Sequence, residues 1–249
     1  MTTDNLTPDG ANGPDGPVEA HEESSLDAPI APPATAPRLV GLLALGEFSL
    51  HVDLTAALAE VRDPAFALRI AALSAGRLDR ARRFTEVAGA DTHAGSGVAS
   101  GVGSGVDSGV DSGVGALEAW RPTVEVLRGI PAADRFEAMV GAAVVGGVLS
   151  DLAALLPGSG PESGVTAAGA AGAADDDDLL ATVRGEVEAD PALAGRLSLY
   201  GRRVFGRILL AGRGVVAALA EPERGAVQTY LAGAGEGFAD RMSAMGLKG

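Results

Sequence analysis

Glu47 is the residue best placed to do chemistry in this 249-residue sequence. Val40, Leu43, Glu47, Leu50, Leu54, Ala57 and Val61 follow the 3-4-3-4 spacing of a helix packed in a bundle, so the Glu47 carboxylate lines up with core residues. An unpaired buried charge is strongly unfavourable, and such a carboxylate needs a metal, a cation or a route to water. His51 stands one helical turn on, where it could share a metal with Glu47. With Asp79 and Asp151 added, the candidate metal ligands are Glu47, His51, Asp79 and Asp151. The chain has no cysteine, which excludes thiolate chemistry, disulfides and cysteine-based zinc or iron–sulfur sites.

The elements that must position these groups all read as helices. The helix of Glu47 spans about 38–62 and is ended by Asp63-Pro64, because proline disfavours helical geometry in the residue before it and can open the next helix itself. A second helix is predicted from about Pro64 to Gly89. Its stripe is Phe66, Ile70, Leu73, Arg77, Arg80, Phe84 and Val87, and on spacing alone the stems of the two arginines pack while their guanidinium groups reach outward. Leu117–Arg128, with the only tryptophan, Trp120, reads as a connector covering one end of the bundle. Ala132–Leu156 makes a third long helix, with Asp151 as a solvated surface residue. Asp175–Asp178 read as the N-cap and first turn of another helix, where negative charge favours the helix dipole. Pro191–Ala220 carries a row of Arg196, Arg202, Arg203, Arg207 and Arg213, suited to RNA phosphate, to solvent or to acids on neighbouring helices. Pro222–Leu247 is a final helix. No segment alternates as a strand would, so the fold class is all-α.

The composition divides the chain. Residues 1–37 hold seven acids and no Lys or Arg, and read as a disordered acidic tail. Residues 38–249 form the folded domain, with flexible insertions at about 90–115 and 157–174. The first insertion contains five tandem copies of Ser-Gly-Val-x over Ser96–Gly115, which lack the Gly-Lys-Ser/Thr ending of a phosphate loop. Of the net charge of −14, the tail, Asp91, Asp107 and Asp111 of the first insertion, and Asp175–Asp178 account for all, so the rest is balanced and exerts no general attraction on nucleic acid. No signal peptide and no uninterrupted apolar run of about 18 residues is present, and a cytoplasmic protein without a membrane span is expected.

Five segments together resemble a known family. GLLALGEFSLHVDL, RIAALSAGRLDR, MVGAAVVGGVLSDL, VRGEVEADPALAGRLSLYGRR and DRMSAMGL are similar to successive helices of the ferritin-like proteins of actinobacterial type that are grouped with the tRNA methylthio-isopentenyl-adenosine hydroxylases. The resemblance implies a ferritin-like bundle of four long core helices plus extra helices, and a non-haem di-iron centre that hydroxylates modified tRNA. In that family a lone Glu, a Glu-x-x-His pair, a lone carboxylate and a second carboxylate-x-x-His pair hold two irons.

Only the lone Glu is matched here, by Glu47. The other positions fall on Arg77 and Arg80, on Gly146, and on Gly172-x-x-Asp175. The histidines are His21, His51 and His93, preceded three residues earlier by Val18, Phe48 and Ala90, so no acid-x-x-His pair exists anywhere in the sequence. A guanidinium keeps its charge under any cellular condition and repels a metal cation from the same cavity. Glu47, Arg77, Arg80, Gly146 and Asp175 are therefore expected to be the remnant of a di-iron site, with Arg77 or Arg80 as the ion-pair partner of Glu47. No cofactor is expected; two irons would accompany a working site. The implied role is a non-catalytic binding or scaffold protein whose partner is tRNA or a ferritin-like paralogue, with homo-oligomers allowed. An active hydroxylase and a purely structural or stress-related bundle are the alternatives.

Overall fold

Asp63 and Asp134 start two of the long helices by the same device. The Asp63 carboxylate accepts the N–H of Ala65 at 3.0 Å, just ahead of Pro64. Asp134 accepts from Phe136 and Glu137, both at 3.0 Å, and Glu137 reaches back to the N–H of Ala133 at 2.8 Å. Partial burial opposes the charge of Asp134, but the N–H of Glu137, the guanidinium of Arg196 and the N–H of Phe136 hold its pKa below the usual value.

The computed structural model describes residues 38–94, 117–156 and 164–249. The acidic tail and the Ser-Gly-Val-x repeats lie outside the described residues. Within them the protein is all-helical: α1 (Leu39–Leu58), α2 (Pro64–Ala94), α3 (Arg121–Arg128), α4 (Arg135–Ala154), α5 (Gly164–Ala189), α6 (Leu193–Ala218) and α7 (Glu223–Ala244).

Four of these helices close into a ring in which α1 packs on α2, α2 on α5, α5 on α4, and α4 back on α1. Side-chain pairs give their directions. Glu47 meets Arg77 while His51, further along α1, meets Ser74, so α1 and α2 are antiparallel. Arg135 stands over the Phe66 ring and Gly146 faces Arg77, so α2 and α4 run the same way. Asp176 meets Arg77 while Glu186 shares a cavity wall with Phe66, which makes α5 antiparallel to α2. The order is up, down, down, up, and the chain must cross the length of the bundle between α2 and α4. Part of that crossing is α3, preceded by the buried Trp120, whose indole N–H donates to the Arg38 carbonyl at 2.9 Å. Helices α6 and α7 pack on α4 and on each other.

Aliphatic side chains fill the core, Leu43, Leu54, Ile70, Met139 and Leu179 among them. By length and composition α1 and α4 could each cross a membrane, where the sequence led us to expect no such segment. Both are ring helices, with 61% and 72% of those stretches buried.

Two expectations are corrected. The segment 157–174 is not a loop throughout, because α5 begins at Gly164, and α2 runs past Gly89 to Ala94. The glycines of GVTAAGAAGAA suggested a loop, but alanine is the strongest helix former and dominates the run. Asp175–Asp178 therefore lie about three turns inside α5, not at its N-cap.

Candidate functional site

The centre of the ring holds a cluster of charges. Glu47, Arg77 and Arg80 are 1%, 1% and 2% exposed. Glu47 Oε2 lies 3.3 Å from Arg77 Nη1 and 3.2 Å from Arg80 Nε. Each arginine then turns to an aspartate of α5: Arg77 Nη2 donates to Asp176, and Arg80 Nη1 donates to Asp175 at 2.6 Å. Ser150 of α4 donates to the other oxygen of Asp176 at 2.8 Å. The guanidinium groups thus point inward, contrary to the expectation from spacing alone. The reason is that three carboxylates converge there, and burying a guanidinium among them is favourable where burying it alone is not.

Two glycines make the room. A Cβ on Gly146 would lie 2.3 Å from both terminal nitrogens of Arg77, and one on Gly76 would lie 2.3 Å from Asp175 Oδ2. The absence of a side chain at 146 is thus what admits the Arg77 guanidinium between α2 and α4. Burial works against the charge on Arg77, but Glu47 first and Asp176 second more than restore it, so its pKa lies above the usual guanidinium value. Arg80 is less completely satisfied. Among the described residues its Nη2 has no hydrogen-bond partner, and its Nε faces Glu47 without the alignment of a hydrogen bond. Asp175 and Asp176 are 32% and 13% exposed, so the cluster opens toward solvent on the α5 side.

The structure brings Glu47, Arg77, Arg80, Gly146 and Asp175 together from the four ring helices. Asp176 and Ser150 complete the cluster without having been singled out in the sequence. A helical reading of the alanine-rich run would have exposed Asp176, because it places four successive aspartates mid-helix, where one of them must face α2.

The alternative metal ligands do not assemble. His51 Nδ1 lies 2.8 Å from Ser74 Oγ and 3.0 Å from the Ser74 carbonyl. Asp79 is exposed beside Arg82, at 3.5 Å. Asp151, expected to be a solvated surface residue, instead accepts from Tyr230 at 2.8 Å and pairs with Arg241, tying α4 to α7. Among the described residues no group of three His, Cys, Asp or Glu side chains is placed to hold a metal ion.

The cluster residues do not fit a pair of irons either. Its three carboxylates are each engaged by a guanidinium, a group with no lone pair to give and no proton to lose at cellular pH. For the same reason neither arginine serves as a general base, and the cluster holds no imidazole. What it does chemically is fix the register of four helices.

On α6, Arg196 pairs with Asp134 at 2.7 Å and Glu137 at 2.9 Å, and Arg202 donates to the Lys248 carbonyl at 3.2 Å. Arg202, Arg203 and Arg213 are exposed, interleaved with exposed Leu199, Leu209 and Leu210, and α6 contains no acid. No protein-family model matches the chain, and no curated protein is significantly similar to it.

Proposed function

We propose that this chain is a ferritin-like bundle whose central site is an ion cluster in place of two irons, and that it acts by binding and not by catalysis. One observation carries the proposal: two guanidinium groups sit on Glu47 at 3.2 and 3.3 Å, in space opened by Gly146. The helix order supports it as well. Neighbours in the ring are antiparallel and a single long crossover joins the second and third, which is the connectivity of ferritin-like folds.

Metal analysis of protein produced in iron-rich medium tests the central claim. The expected content is well below one iron per chain; about two irons per chain would overturn it.

The partner best matched by the charge pattern is RNA, with tRNA as the class implied by the family resemblance. Support comes from α6, whose exposed arginines have no acid on their own helix to neutralise them. Binding of bulk tRNA is expected near physiological salt and should weaken about tenfold or more in an Arg202→Glu, Arg203→Glu double variant. The salt dependence should become shallower too, because a protein that neutralises fewer phosphates releases fewer counterions. Equal binding by both proteins would exclude this face.

A further inference from the structure

A second site lies outside the ion cluster. Between α1, α3, α4 and α6 is a cavity of about 330 Å³ to which neither α2 nor α5 contributes a residue. It exists because Ala57 on α1 and Ala138, Gly141 and Ala142 on α4 are all small where they line it. An apolar cavity of about 150 Å³ holds one benzene, so this volume suits a molecule of about two rings.

Its polar groups are few and incompletely used. Ser49 lines the cavity, is 8% exposed, and has an Oγ with no hydrogen-bond partner. Arg135 also lines it, stacked 4.3 Å from the Phe136 ring, with its Nε buried and unpartnered. The Tyr200 hydroxyl has only a long bond to the Ile130 carbonyl, at 3.4 Å. Burial, with Glu137 and Asp53 adding to it, pushes the Tyr200 pKa up to about 12, so the hydroxyl remains a donor at any physiological pH.

The charges of the lining nearly cancel. Asp53 pairs with Arg128 at 2.8 Å, Asp134 shares Arg196 with Glu137 at 2.7 and 2.9 Å, and Arg135 and Glu60 add one charge of each sign, so three arginines stand against four acids. An ionic ligand would gain little from this lining and would lose its hydration.

The geometry points to a binding site for an uncharged, mainly apolar molecule of about two rings that carries one hydroxyl or carbonyl oxygen. The apolar body lies against the small residues of α1 and α4, and the oxygen meets Tyr200, with Ser49 and Arg135 as the other donors of the lining. The site is independent of the ion cluster and of its interpretation.

Calorimetric titration of the full chain with 1-naphthol, naphthalene and 1-naphthoate tests it. 1-Naphthol is expected to bind one per chain, and 1-naphthoate at least about tenfold more weakly because its charge must be desolvated. Ala138→Phe, which fills the cavity, should abolish binding while circular dichroism shows unchanged helix content. Tyr200→Phe keeps the volume and removes one hydrogen bond. It should weaken 1-naphthol about three- to tenfold and leave naphthalene unchanged, a difference that stands even if the cavity-filling variant does not fold. No saturable binding of 1-naphthol at about 1 mM, a weak affinity for any specific site, would overturn the proposal. So would equal binding by a folded Ala138→Phe protein, or equal losses for both neutral probes in Tyr200→Phe.

Discussion

Arg77 contributes more to this fold than its single charge suggests, because it lies between Glu47 of α1 and Asp176 of α5 and fills the space beside Gly146 of α4. Replacing it by methionine keeps much of the volume but leaves Asp176 without its cation and Glu47 with Arg80 alone. Arg77→Met is expected to lower the unfolding free energy by about 3–5 kcal/mol in urea denaturation at pH 7. Adding Asp176→Asn to it should recover part of the loss, since Asp176 is the carboxylate that the first change leaves without a cation. Glu47, Arg77 and Arg80 were legible in the sequence because a 3-4 spacing places them on helical seams regardless of what they are. Where their guanidinium groups point was not legible. That depends on carboxylates arriving from another helix, and spacing alone favours a stem that packs and a head that leaves.

At the scale of the helix, α5 shows how local composition misleads. Its first half has the glycine content of a linker and the alanine content of a helix, and the helix is what forms. The same balance governs the many glycines elsewhere. Gly185 on α5 and Gly206 on α6 are exposed, and a Cβ at either would meet nothing within 4 Å. Gly185→Ala and Gly206→Ala should each stabilise the protein by about 0.5–1 kcal/mol, read from the shift of the urea midpoint. At Gly46 the same change should destabilise it, because the new Cβ would come within 2.8 Å of Leu149 in the core.

For the whole molecule, the all-α class could be read from the absence of strand alternation, and most helix limits from proline and capping aspartates. The order up, down, down, up could not, since periodicity carries no information on which helices are neighbours. It emerges only from pairs such as Phe66 with Arg135 and Arg77 with Asp176. The chain has no cysteine, so neighbours can be tested by introducing a pair. In a Gly76→Cys, Asp175→Cys double variant, the two new side chains start from positions where an added Cβ at 76 would lie 3.0 Å from the Asp175 carboxyl carbon. They should form an intramolecular disulfide on mild oxidation, visible as a faster-migrating band in a non-reducing gel. A helix α5 packed elsewhere would give none.

The fit between Gly146 and Arg77 also bears on how this chain can change over time. A side chain gained at 146 while Arg77 stays would collide with a guanidinium anchored by two carboxylates. A shorter residue gained at 77 while Gly146 stays would leave a void and unmatched charges. Either single step gives a less stable protein than its parent, so the two positions are heritable as a pair. Among descendants of this sequence, a glycine at 146 should accompany an arginine at 77, and the two should disappear together.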